Sequence, residues 1–150
     1  MEYIHSVLFQ NYDYLKLAGR FELLGIGAVK NMNSKIIEIA NLEIDAPDLN
    51  VFVQEWMDGT TSARMETITI TLQKWETVEF YELVVLDQIP HKVVPRDRFK
   101  EFQMPIDTDS WKNVDRIVGQ YEIEGEYERK ATIQLDVYGN EVRFKFVVGQ

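Results

Sequence analysis

Two stretches near the C-terminal end alternate apolar and polar positions. Ala131, Ile133, Leu135 and Val137 interleave with Thr132, Gln134 and Asp136; Val142, Phe144, Phe146 and Val148 follow, with Arg143 and Lys145 between them. Successive side chains of a strand point to opposite faces, so this period predicts two strands with one buried and one polar face. Tyr138-Gly139-Asn140-Glu141 separates them, and Gly at the first central position suits a type II′ hairpin turn. That turn sets Val137 against Val142, Leu135 against Phe144, Ile133 against Phe146 and Ala131 against Val148. On the polar face Asp136 then meets Arg143 and Gln134 meets Lys145, a favourable cross-strand arrangement.

Just upstream, Tyr121, Ile123, Gly125 and Tyr127 alternate with Glu122, Glu124, Glu126 and Glu128. No turn residue interrupts positions 126–137, which predicts one long strand bent or bulged at Gly125. A separate strand turned near Glu128-Arg129-Lys130 is the alternative.

The remaining pattern is mostly strand-like. Residues 3–9 form a plausible first strand. Positions 14–24 fit either a helix or a strand, the strand being favoured after Gly19. Residues 35–45 read as a strand with Ala40, Leu42 and Ile44 inward, and 51–56 as another. In 65–75, Ile68, Ile70 and Leu72 oppose Thr67, Thr69 and Thr71, and a threonine row is usually the solvent face of a sheet. Residues 78–89 are apolar on both sides, as a central strand would be. Pro90 and Pro95 predict a loop over 90–100. Ser110 is placed to cap a short helix carrying Trp111, Val114, Ile117 and Val118. The expected fold is mainly β: a single antiparallel β-sandwich or barrel over residues 1–150, with one or two short helices.

Composition changes this picture little. The chain has 150 residues, 45% hydrophobic and 27% charged, as an ordinary globular protein has. It contains no cysteine, which excludes disulfides and thiolate metal sites. The N-terminal residues lack a basic segment followed by an apolar one, and no apolar run nears the ~18 residues of a membrane span. A cytoplasmic location, or an assembly made in the cytoplasm, is therefore expected, with no membrane partner. A net charge of −9 repels phosphate backbones, so no nucleic-acid partner is expected.

The catalytic signals are sparse. There is no Gly-x-Ser-x-Gly, no phosphate-binding glycine loop, and only two histidines, His5 and His91. Two histidines without cysteine argue against a zinc site. Asp45 and Asp48, with Asp107 and Asp109, would offer oxygen ligands to calcium if their loops converged; their simpler role is as loop and cap residues. Trp75, on the threonine side, is the aromatic to inspect for sugar stacking. No cofactor is implied.

Two charged features remain. Glu122, Glu124, Glu126 and Glu128 in line on a strand would repel one another, which suits an exposed edge or an acidic docking face. Lys92, Arg96, Arg98 and Lys100, beside His91, form the chain's basic cluster and would complement that acidic row on a partner or on a second copy. These eight residues are the expected partner-binding set. The sequence thus points to a non-catalytic protein-interaction or assembly module, binding a protein partner or itself. A ligand-binding β-sandwich for carbohydrate or calcium is the first alternative, and a small enzyme using paired carboxylates the second.

Overall fold

In a computed structural model the described residues are 14–18, 32–40, 44–61, 64–94, 99–103, 114–118 and 120–149. Nine strands are seen among them: β1 (Tyr14–Ala18), β2 (Ile36–Ala40), β3 (Thr67–Gln73), β4 (Lys92–Val93), β5 (Phe99–Gln103), β6 (Val114–Val118), β7 (Tyr121–Glu124), β8 (Lys130–Tyr138) and β9 (Glu141–Val148). Two helices, α1 (Ala46–Met57) and α2 (Val78–Val85), accompany them. Seven strands make one open sheet in the order β1-β2-β3-β9-β8-β7-β4, and β5 and β6 pair separately. The sheet is mixed. β1, β2 and β3 run parallel, while every pairing from β3 through β9, β8 and β7 to β4 is antiparallel. The expectation of an antiparallel sandwich or barrel is corrected to an open α/β sheet.

The C-terminal hairpin has the register its pattern predicts, pair for pair from Ala131↔Val148 to Val137↔Val142. Gly139 takes a φ of +61°, the conformation that the first central position of a type II′ turn requires. β9 then pairs with β3, setting Ile68 beside Phe146 and Ile70 beside Phe144. Both helices lie over this apolar side. Phe52 of α1 meets Phe146 and Phe144 edge-on, with ring centroids 5.3 and 6.4 Å apart, and Trp56 meets Phe146 at 5.1 Å.

Residues 51–56, expected as a strand, belong to α1. Its buried residues Ala46, Leu49, Phe52, Val53 and Trp56 recur at helical spacing. Its start is fixed by a capping box. The Asp48 N–H donates to the Asp45 carboxylate (3.2 Å) and the Asp45 N–H to that of Asp48 (3.1 Å), with Pro47 in the first turn. Burial raises the Asp48 carboxyl above its ordinary value of 3.8, against the pull of the Asp45 backbone N–H. The central strand expected at 78–89 is likewise helix. α2 is capped by Thr77 and buries Tyr81 and Val85, one turn apart.

Side chains tie the helices together and to the sheet. The Asn50 amide donates to the carbonyls of Val85 and Asp87, both at 2.9 Å, and so satisfies the C-terminal end of α2. The Tyr81 hydroxyl accepts from the Trp75 N–H (2.9 Å) and donates to the Gln73 carbonyl (3.2 Å), anchoring α2 to the end of β3.

Three further expectations change. The helix expected after Ser110 gives way, over residues 114–118, to strand β6, and the loop expected over 90–100 contains β4 and the start of β5. In β2 the buried residues are Ile37 and Ile39, while Ala40 is exposed. Leu42, and the strand expected at 3–9, lie outside the described residues. For positions 14–18 the strand alternative holds.

Candidate functional site

The sheet face opposite the helices carries the polar rows, and their register places them in single file. Lys16, Glu38, Thr69, Lys145 and Gln134 stand opposite one another across five strands. One row along come Ala40, Thr71, Arg143 and Asp136. This face is not simply solvated. Thr67, Thr69, Gln134 and Lys145 are buried, so the threonine row is not the open solvent face the alternation suggested.

A cleft of about 250 Å³ opens on this face, lined in part by Lys16, Glu38, Thr69, Thr71, Arg143 and Lys145. Its chemistry is cationic and hydroxylated, on a chain whose net charge is −9. The Tyr14 hydroxyl donates to Glu38 at 2.7 Å, tethering that carboxylate toward the row that holds Tyr14 and Thr67, on the far side from Arg143. Asp136, across from Arg143, accepts a hydrogen bond from the Gln134 amide. The Arg143 guanidinium lies 4.5 Å from the centroid of the Tyr138 ring, which positions it by cation–π attraction.

The expected partner-binding residues are divided by the fold. Glu122 and Glu124 lie on one side of β7, but Glu126 and Glu128 leave the strand in a short 3₁₀ turn. The single long strand through 137 is therefore corrected: β7 and β8 are two strands, turned where the alternative reading put it. Within the sheet Lys92 stands opposite Glu122 and Lys130 opposite Glu124. The acidic row thus has basic neighbours in its own molecule. Lys100 sits on β5 opposite Ile117, and Arg96 and Arg98 lie outside the described residues.

The turn that displaces the two glutamates is unusual. The Arg129 N–H donates to the Glu126 carbonyl at 3.2 Å, and Tyr127 and Glu128 between them have φ of +58° and +59°. That is a type I′ turn, which normally holds Asn-Gly because side chains are strained at positive φ. Tyr127 projects from it at 92% exposure. Replacing Tyr127 and Glu128 by Asn and Gly is expected to stabilise the protein by about 1–2 kcal/mol in urea unfolding. No gain would mean that the positive φ carries no cost here.

The other candidates resolve as follows. Asp45 and Asp48 cap α1, while Asp107 and Asp109 lie outside the described residues, as do His5 and Trp111. His91 is exposed, with its ring edge-on to Tyr121 at 5.6 Å. Trp56 is core, whereas Trp75 is 70% exposed, close to the exposed Phe80 and Leu83 of α2 in sequence. Among the described residues no group of three or more His, Asp or Glu is placed to hold a metal ion. No helix among them is long and apolar enough to cross a membrane.

The cleft residues were missed as a set. The alternation of Arg143 and Lys145 and the threonine row were both visible in the sequence. What joins them is the pairing of β3 with β9, and no local signal specifies it.

Three comparisons with known proteins bear on this arrangement. No curated protein and no solved structure matches the chain. Residues 3–70, just under half of the chain, match a family model described as F-box associated. That range takes in β1, β2, α1 and the first half of β3, the parallel side of the sheet, and includes the cleft residues Lys16, Glu38 and Thr69.

Proposed function

We propose that the chain is a non-catalytic recognition module that binds a protein substrate for an F-box ubiquitin ligase. The observation that carries this reading is the match of residues 3–70 to the F-box associated model. F-box associated domains typically serve as the substrate-recognition module of SCF ubiquitin ligase complexes. The polar sheet face agrees with it: a cleft open to solvent, walled by fixed charges and hydroxyls, is a surface that selects a partner by its polar groups. The test joins the chain to an F-box and assembles it with the other ligase subunits. A defined set of proteins should gain ubiquitin relative to the F-box alone. An unchanged ubiquitylation profile would overturn the reading.

A second surface has its own observation. Tyr127 at the tip of the strained turn, between Glu126 and Glu128, presents an exposed aromatic among carboxylates. With Glu122 and Glu124 behind it, this end of β7 and β8 suits a basic partner segment, as the acidic row suggested. Lys92, Arg96, Arg98 and Lys100 are the basic set proposed to meet an acidic surface.

A further inference from the structure

The stretch that forms α2 is apolar on both sides, yet the fold covers only one of them. Tyr81 and Val85 are buried, whereas Leu83 is 75% exposed and Phe80 41%. Phe80 and Leu83 are three residues apart, so they lie side by side on the outer surface of the helix. The Phe80 ring also meets that of Tyr81 edge-on, with centroids 5.9 Å apart, which ties the outer patch to the core. The exposed Trp75 stands just ahead of the Thr77 cap, its N–H held by the Tyr81 hydroxyl. A single exposed apolar residue is ordinary, but a helix that is apolar all round is one whose outer side is also built to be covered. The surroundings of this patch carry one sign of charge. Residues 76–89 hold Glu76, Glu79, Glu82 and Asp87 and no basic residue. Glu82 accepts from the Tyr121 hydroxyl at 2.6 Å, while Glu76, Glu79 and Asp87 are exposed. Glu79 lies one turn before Leu83, on the same face of the helix.

We propose that the outer face of α2 docks an amphipathic helix of a partner protein, one whose apolar stripe is flanked by lysine or arginine. The inference goes beyond the ligase reading and stands without it. Charge complementarity selects the occupant. An apolar patch edged by carboxylates attracts a partner with a basic rim and rejects one with an acidic rim. The same carboxylates repel an anionic membrane surface and a nucleic acid. A second α2 would bring its own acids against these, so the face does not suit pairing with itself. The eight residues of α2 span about 12 Å, enough for Phe80 and Leu83 to pack between the side chains of a helix laid across it.

The test titrates synthetic peptides into the full chain and follows its backbone amide shifts and the Trp75 indole signal. One peptide sets leucines at helical spacing with lysines beside them. A second has the same composition shuffled so that no stripe remains, and a third carries glutamate in place of lysine. The first peptide is expected to move amides over 75–87, with a Kd on the order of 10 μM. The other two should bind about tenfold more weakly or not at all. Leu83→Gln changes an exposed position, leaves the core intact, and should weaken the first peptide about tenfold. Glu79→Gln should weaken it less and reduce its dependence on salt. Equal binding of the striped and shuffled peptides would overturn the proposal, since charge alone would then account for the contact. Shifts confined to residues 122–130, or a Kd untouched by Leu83→Gln, would overturn it too. Sedimentation of the free chain supplies the last outcome: a dimer that Leu83→Gln abolishes would assign the face to a second copy instead. Because no ligase subunit takes part, failure here is distinguishable from a failure of the ubiquitylation test.

Discussion

Phe146→Ala is expected to cost about 3–5 kcal/mol of unfolding free energy, the largest loss from any single truncation argued for this chain. Phe146 is fully buried on β9, which lies between β3 and β8. It meets three rings at once: Phe52, Trp56 and Phe144, the last stacked at 6.2 Å. Removing it takes away the transfer free energy of one aromatic side chain. It also leaves a cavity that a strand paired on both sides cannot collapse to fill. Urea unfolding, with the slope unchanged, is the measurement. A loss below about 1 kcal/mol would show that α1 does not clasp the sheet through this residue.

Gly125→Ala has the second effect, of about 1–3 kcal/mol, and it arises from overpacking. A Cβ at Gly125 would stand 2.8 Å from Cζ3 of Trp56 and 3.3 Å from the Cα of Met57. The Gly125 backbone is extended, with φ of −108°, and alanine adopts that conformation freely. The cost is therefore steric, chiefly the collision with the indole. The Arg129 guanidinium lies 5.4 Å from the centroid of the Trp56 ring and the Phe146 ring packs edge-on at 5.1 Å, so Trp56 has little room to retreat. A double-mutant cycle with Trp56→Leu isolates the contact. Gly125→Ala should cost much less once the indole is gone. Additive effects would place the cost somewhere other than this contact.

What the sequence disclosed follows from where structure is local. The hairpin over 131–148 was legible to the residue because alternation, turn chemistry and cross-strand charge all act within a few positions of each other. The apolar row Ile68, Ile70 and Leu72 was legible for the same reason. α1 was misread because Val51, Phe52 and Val53 are strand formers, and their tertiary packing against Phe144 and Phe146 overrides that preference. A signal was present: Asp45 and Asp48 three apart around Pro47, ahead of Leu49, Phe52, Val53 and Trp56 at helical spacing. α2 was misread because the exposed Phe80 and Leu83 made a one-sided helix look apolar all round. The break after Glu124 was obscured because Tyr127 and Glu128 occupy turn positions where Asn and Gly are the readable signs. The cleft was not legible, since it depends on strands distant in sequence coming together.

β9 pairs with β3 on one side and β8 on the other, yet it follows every other described strand in the chain. During synthesis the parallel strands and both helices emerge first, and the partner of β3 is still missing. At ~5–20 residues per second that interval lasts several seconds. Throughout it, β3 offers an unpaired edge and the apolar face meant for Phe144 and Phe146 stays uncovered. The nascent chain is thus committed to late closure, and among its described strand pairings the one between β3 and β9 closes the longest loop. Holding chaperones, or the ribosome's own shielding, would matter most in that window.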